Sequence, residues 1–255
     1  MNRLHQETVA DIARQCARLG FVASYDGNIS LRAEEGIYIT ATRTLKANAL
    51  PEDICLISRD GTLIEGKRPP STESLMHLYI YNQRRDVQGI VHAHPPATTA
   101  FAVARKALDL AVFPEVILDL GPVPLADYAT PSTDEVPRSL EPFIAWANAI
   151  LLANHGVVVL GSNIHEALYR TEKLEHAAKT LIYAQILGGI VPLTKREVDY
   201  LYETHQNFER RGMFADFQEK ETPKCEPAKL TCKTCDEKTE QDFIKSVAEK
   251  ILKRL

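Results

Sequence analysis

The run GIVHAHPP, residues 89–96, limits what this chain can fold into more than any other stretch. Gly-Ile-Val-His-Ala is apolar and short, bounded by glycine and proline, which is the pattern of a buried strand. Pro95 and Pro96 end it, because proline has no N–H to give to a sheet ladder. Residues i and i+2 of a strand face the same side, about 6–7 Å apart at Cα. His92 and His94 therefore project together at the point where the ladder stops. The fold must bury a strand and leave two imidazoles at its end.

Two imidazoles can converge on one metal ion at about 2.0–2.1 Å, and the alternative reading of the pair is hydrogen-bonded core histidines. A catalytic site needs one more protein ligand and an open position. ANHGVVVL, residues 153–160, offers His155 at the edge of a second buried-type strand and next to a glycine. His77 reads differently. It sits in a predicted helix among Met76, Leu78 and Tyr79, and we read it as a hydrogen-bonded core histidine.

The rest of the chain surrounds these strands with short elements. Residues 4–19 carry apolar positions near helical spacing. NISLR, GIYIT and ICLIS read as strands, and the turn signal RDG followed by TLIEG predicts a hairpin over 54–65. Residues 71–84 predict a helix starting near Ser71, and PPATTAFAVARKA predicts one with proline in its first turn. VILDL and AILLANHGVVVLG read as further strands. A long amphipathic helix over 163–189 closes at Gly188 and Gly189, and a last helix is expected over 194–211. No regular βαβ rhythm is present, so we expect an α/β layered fold around a mostly antiparallel sheet.

Composition narrows the function. The chain has 255 residues, 45% hydrophobic and 25% charged, with a net charge of −4. That size suits one large domain plus an appendage. The charge gives no basic face for nucleic acid. The polar N-terminus is unlike a signal peptide, and no apolar run has the length of a membrane span, so we expect a cytoplasmic protein. Five cysteines, at 16, 55, 225, 232 and 235, are an odd number in a chain too large to need staples, which favours reduced thiols. The CxxC at 232–235 with Cys225 outside it has no partner pair, and we expect no structural zinc there. Composition turns after Phe217: 218–240 reads as a flexible linker, and 241–255 as a short helix with one apolar stripe.

Several segments occur in a fixed order: GNIS (27–30), ITATRT (39–44), EGKRPPSTE (65–73), VHAHPPATTAFA (91–102), LADYATPST (125–133) and LANHG (152–156). Together they resemble the class II aldolase/adducin family, and within it the L-fuculose-phosphate aldolases, over about residues 1–212. The resemblance implies a three-layer α/β/α domain over 1–217, with a central, mostly antiparallel sheet. It implies a homotetramer with active sites between subunits. It also implies one Zn2+ per subunit on His92, His94 and His155, with Glu73 as catalytic acid/base and fourth ligand of the resting enzyme. Its phosphate site falls on Gly27, Asn28, Thr42, Arg43, Ser71 and Thr72. The implied reaction is cleavage of L-fuculose 1-phosphate or L-rhamnulose 1-phosphate to dihydroxyacetone phosphate and L-lactaldehyde.

The residue chemistry runs the same way. Ser71 and Thr72 are hydroxyls at a predicted helix N-terminus, where an anion is favoured. Gly27 permits close backbone approach, and Asn28 can donate a hydrogen bond. Glu73 needs a raised pKa to donate a proton near neutral pH, and partial burial is expected to supply it.

The chain departs from the family at the aldehyde end. Where the aldolases place a tyrosine, AVFPEVIL (111–118) has none, with Phe113 the nearest aromatic and Tyr200 and Tyr202 possible substitutes further on. Arg43 stands where the family often has glycine, and either adds charge to the phosphate site or points to solvent. Same-fold alternatives are a phosphosugar epimerase, which usually has Asp at the position of Glu73, and a dehydratase or decarboxylase. A non-catalytic adducin-like binding module is the alternative from another class, but such modules lack the three histidines. Residues 241–255 resemble an encapsulation peptide that binds a bacterial microcompartment shell protein. Docking of that helix on its own tetramer is the other reading.

Overall fold

Short runs in which alternate side chains are buried on opposite sides pair into one sheet of this computed structural model, which describes residues 1–214. Its strands are β1 (Asn28–Arg32), β2 (Ile37–Thr40), β3 (Ile54–Ile57), β4 (Leu63–Glu65), β5 (Gly89–Ala93), β6 (Leu125–Ala126), β7 (Ala149–Leu152) and β8 (Gly156–Gly161). They lie in the order β4-β3-β2-β1-β5-β8-β7-β6. All neighbours are antiparallel except β6 and β7. The expected hairpin over 54–65 is β3–β4.

The helices are α1 (Arg3–Arg18), α2 (Ser74–Gln83), α3 (Pro96–Val103), α4 (Pro114–Asp119), α5 (Glu135–Leu140), α6 (Ile164–Leu187) and α7 (Lys195–Thr204). Strand periodicity assigns them to two faces. Ile90, Ile150, Val158 and Leu160 pack with Met76 and Ile80 of α2 and Val136 and Leu140 of α5. Ile29, Val91 and Ala93 turn the other way, onto Val9, Ile12 and Cys16 of α1 and Ile164 and Leu168 of α6. Val157 and Val159 meet Ala97 and Ala102 of α3 and Leu174 and Ala178 of α6 on that same side. The result is the expected three-layer arrangement, and β5, near the middle of the sheet, is buried along its whole length.

Two contacts fix the ends of β5. At Gly89 a Cβ would lie 2.3 Å from Ile164 Cα, so only glycine lets the start of α6 cross this closely. After Pro95, the first free N–H groups of α3 need acceptors. The buried Glu175 carboxylate of α6 supplies them, taking bonds from Ala97 N at 3.1 Å, Thr98 N at 2.8 Å and Thr98 Oγ1 at 2.9 Å.

Three expectations need correction. VILDL forms most of α4 and is not a strand. Pro114 sits at its first position, and Ile117 is buried against Val198 of α7, while β6 takes the sheet position beside β7. The helix expected from Ser71 begins at Ser74. Residues 70 and 71 are instead held to the end of β2, through the Ala41–Pro70 bridge and the bond from Ser71 N to Thr40 O at 3.1 Å. The last helix stops at Thr204, short of the expected 211. No helix among the described residues is long and apolar enough to cross a membrane. The linker 218–240, the helix 241–255 and Cys225, Cys232 and Cys235 lie outside the described residues.

Candidate metal centre

The three histidines arrive at one end of the interior strands β5, β8 and β7. His92 is the penultimate residue of β5, paired with Asn28 on β1 and Val158 on β8. His94 follows the strand end, its N–H donating to Phe21 O at 2.8 Å. His155 lies in the tight turn between β7 and β8, where Asn154 adopts a left-handed φ of 57°, a conformation asparagine tolerates. Glu73 immediately precedes α2 and comes in from the opposite layer.

Their donor atoms converge. His92 Nε2 is 3.3 Å from His94 Nε2 and 3.3 Å from Glu73 Oε2. His155 Nε2 is 3.5 Å from Glu73 Oε1. Four ligands placed tetrahedrally at about 2.0–2.1 Å from one ion are roughly 3.3–3.4 Å apart. Glu73 Oε1 is buried without a hydrogen-bond partner. Buried carboxylate oxygens are normally satisfied, so an orphan beside three imidazoles fits a cation. His92 Nδ1 lies 3.0 Å from Val157 O, and a carbonyl only accepts. The proton is therefore on Nδ1, and the Nε2 lone pair faces the centre. Each of the three histidines can give one ligand atom, and these atoms lie within 4.8 Å of one another.

The electrostatics suit ligation. Burial, with His92 and His155 beside it, pushes His94 down to about 3. Burial and His92 push His155 down to about 4, so both rings are neutral at neutral pH. Burial lowers His92 as well, but the Glu73 carboxylate outweighs it and the net direction is upward. The raised pKa expected for Glu73 is not found. Burial does push it upward, but His92, His155 and the Asn28 amide hold it well below the usual carboxylate range.

The residues expected to hold phosphate come together on two neighbouring loops and the start of β1. Gly27 has φ 72°, and a Cβ there would lie 2.6 Å from His92 O. Thr42 N donates to Pro69 O at 2.9 Å, which sets 41–43 beside 69–72. Arg43 is exposed with φ 53°, in the left-handed region that favours glycine. Ser71 Oγ accepts from Glu73 N at 3.3 Å, and Thr72 Oγ1 is 2.8 Å from Ser132 Oγ. The Asn28 side chain has another partner, donating to Glu73 Oε2 at 2.7 Å.

A profile of the Class II Aldolase and Adducin N-terminal domain matches residues 7–182. The chain belongs to this family. It is 35% identical over 159 residues to an L-fuculose phosphate aldolase of Methanococcus maripaludis, covering 62% of this chain and 86% of that protein. It is 31% identical over 188 residues to a 3-oxo-tetronate 4-phosphate decarboxylase of Escherichia coli, covering 72% and 87%. A solved L-fuculose 1-phosphate aldolase superposes with a TM-score of 0.74 at 26% identity, over 81% of this chain and 98% of that one.

In this class II aldolase-family chain, two residues near the loops expected to hold phosphate escaped sequence reasoning. Arg68 donates to Thr42 O at 3.3 Å and Arg43 O at 3.1 Å, and pairs with Asp53 at 2.6 Å. It lies inside EGKRPPSTE, so the signal was available. Lys46 is only 2% exposed and donates to Tyr25 O at 2.7 Å, pinning the loop before Gly27. Burial lowers it to about 8. Of the two tyrosines expected as substitutes at the aldehyde end, Tyr202 donates its hydroxyl to Ile117 O at 2.7 Å, whereas Tyr200 is exposed.

Gly156 is the residue on which the His94 ring depends. A Cβ at 156 would lie 2.4 Å from His94 Cδ2 and 2.5 Å from Ala93 O. Gly156→Ala is expected to displace that ring and weaken metal binding about 10–100-fold, the usual effect of disturbing a ligand's support. Metal titration of the chelator-stripped variant checks this, and an affinity equal to the parent's would show that the ring has room to move.

Proposed function

We propose that the protein is a zinc-dependent aldolase that cleaves a ketose 1-phosphate, L-fuculose 1-phosphate or L-rhamnulose 1-phosphate, to dihydroxyacetone phosphate and L-lactaldehyde. The observation that carries this reading is the convergence of the His92, His94 and His155 ligand atoms, within 4.8 Å of one another, with the Glu73 carboxylate against His92 and His155. Zinc in this donor set, one ion per subunit, supplies a Lewis acid that stabilises negative charge on substrate oxygen. Gly27, Asn28, Thr42, Arg43, Ser71 and Thr72 hold the phosphate. A base takes the proton of the C4 hydroxyl, the C3–C4 bond breaks and the aldehyde leaves from C4. The electron pair stays on C3. Glu73 then delivers a proton to C3. Its lowered pKa belongs to the carboxylate among the histidines, so the acid form requires Glu73 to leave those contacts.

The decarboxylase relative supports a second reading. Loss of carbon dioxide from a 3-oxo acid also leaves an electron pair on carbon for Glu73 to protonate. The lack of tyrosine in 111–118 favours it over an aldehyde-forming reaction. Assembly as a homotetramer with sites between subunits is part of the proposal. The exposed Tyr183, Ile186, Leu187 and Val191, at and just beyond the end of α6, offer an apolar surface for it. Segment 241–255 remains a candidate ligand for a shell protein on its resemblance alone.

The test is incubation with each sugar phosphate and, separately, with 3-oxo-tetronate 4-phosphate. Dihydroxyacetone phosphate and carbon dioxide are followed with and without a chelator. Chelator-sensitive dihydroxyacetone phosphate release is expected. Carbon dioxide release alone would move the assignment to the decarboxylase. Activity that survives complete metal removal would overturn the metal-dependent reading.

A further inference from the structure

Behind Glu73 runs a buried line of polar side chains, of which the proposed reaction uses only Asn28. Asn28 Nδ2 donates to Glu73 Oε2 at 2.7 Å. Asn28 Oδ1 lies 2.6 Å from His77 Nε2, and His77 Nδ1 lies 2.7 Å from Ser30 Oγ. Ser30 Oγ is 2.8 Å from the Tyr81 hydroxyl. His77 and Ser30 are 0% exposed. Arg32 covers the Tyr81 ring, 4.5 Å from its centroid.

Each proton in this line can be assigned. An ionised carboxylate only accepts, so the Asn28 amide must turn its NH2 to Glu73 and its oxygen to His77. His77 Nε2 must then carry a proton. Burial pushes His77 down to about 3, so the ring is neutral and Nδ1 is an acceptor. Ser30 donates its only proton to Nδ1, and Tyr81 donates to Ser30. All four donors point the same way, toward Glu73. Bonds aligned like this polarise one another in a low-dielectric interior.

We propose that His77 is a positioning residue for Glu73, acting through Asn28. The proposal rests on the acid role of Glu73. By donating to Asn28 Oδ1, His77 prevents the amide from flipping its oxygen toward the carboxylate. Oε2 is thereby anchored, and Oε1, which has no hydrogen-bond partner, is the oxygen free for the metal and for proton delivery. His77 is thus a core histidine, as its helix context suggests, whose hydrogen bond reaches the functional centre.

The first test needs no catalysis. In the metal-free wild-type protein, long-range 1H–15N correlation of the ring should show His77 as the Nε2–H tautomer. The Nδ1–H tautomer would overturn the proposal. The second test compares variants with metal content matched. His77→Phe keeps the ring but removes the donor, and should lower kcat about 10–100-fold with KM for the phosphorylated substrate little changed. His77→Gln, which can still donate to Asn28, should recover part of that loss. Wild-type kcat in His77→Phe, or equal losses in Phe and Gln, would reduce His77 to packing. If Glu73→Gln also keeps full turnover, the acid role itself has failed. If Glu73→Gln is inactive while His77→Phe is normal, only the positioning role has. Should His77→Phe not fold, the tautomer and the Gln variant still decide.

Discussion

Glu73→Gln is expected to bind metal and to lose about 10²–10⁴-fold in kcat, the usual contribution of a positioned general acid. The amide keeps the shape of the carboxylate, so His92 at 3.3 Å and Asn28 at 2.7 Å still have a polar partner. What it cannot do is carry a proton to carbon. The three imidazoles come from β5, the residue just after it and the turn before β8, so the metal site does not depend on the 73 side chain for its shape. Metal content by elemental analysis, together with turnover of whichever candidate substrate the wild-type protein converts, reads both halves. A metal-loaded variant with near-normal turnover would remove Glu73 from the reaction.

His155→Ala should have the largest effect of any single change at the centre. Metal content should fall to background and turnover with it. The loss should exceed the roughly 10–100-fold that follows from disturbing an outer-shell partner, because a ligand itself is gone. His155 is preferred over His92 because it sits in a turn and is partly exposed, whereas His92 fills the interior of β5 at 0% exposure. Alanine at 155 therefore tests ligation with little loss of core. Thermal unfolding gives an independent reading. An ion that binds only the folded state stabilises it in proportion to ln(1 + [L]/Kd), so wild type should lose stability on chelation. His155→Ala should be insensitive to chelator. A variant that retains stoichiometric metal and the chelator response would remove His155 from the ligand set.

Features set by the immediate chain were legible before the structure. His92 and His94 share a side because the strand period is two, and the prolines after them can end the ladder in only one way. The start of α6 follows from Asn163, whose side chain accepts from Glu166 N, and its end from Gly188 at φ 132°. VILDL shows the limit. Four apolar residues around Asp119 fit a strand or a helix, and the Phe113-Pro114-Glu115 start, with proline at the first helical position and an acid in the first turn, is the signal for helix. α2 was misplaced by three residues, because the pull of Thr40 and Ala41 on Pro70 and Ser71 comes from another strand.

The sequence by itself thus determined the layered, mostly antiparallel α/β fold, the family and the three imidazoles at strand ends, all of which depend on spacing along the backbone. Only the tertiary structure decided the state of Glu73. Burial alone would raise its pKa, and His92, His155 and Asn28 reverse that direction from three separate segments. Only the tertiary structure also linked Glu73 through Asn28, His77 and Ser30 to Tyr81. Electrostatic fields and hydrogen bonds act over a few ångströms of space regardless of sequence separation, so their sum at one carboxylate is fixed only when the strands have paired.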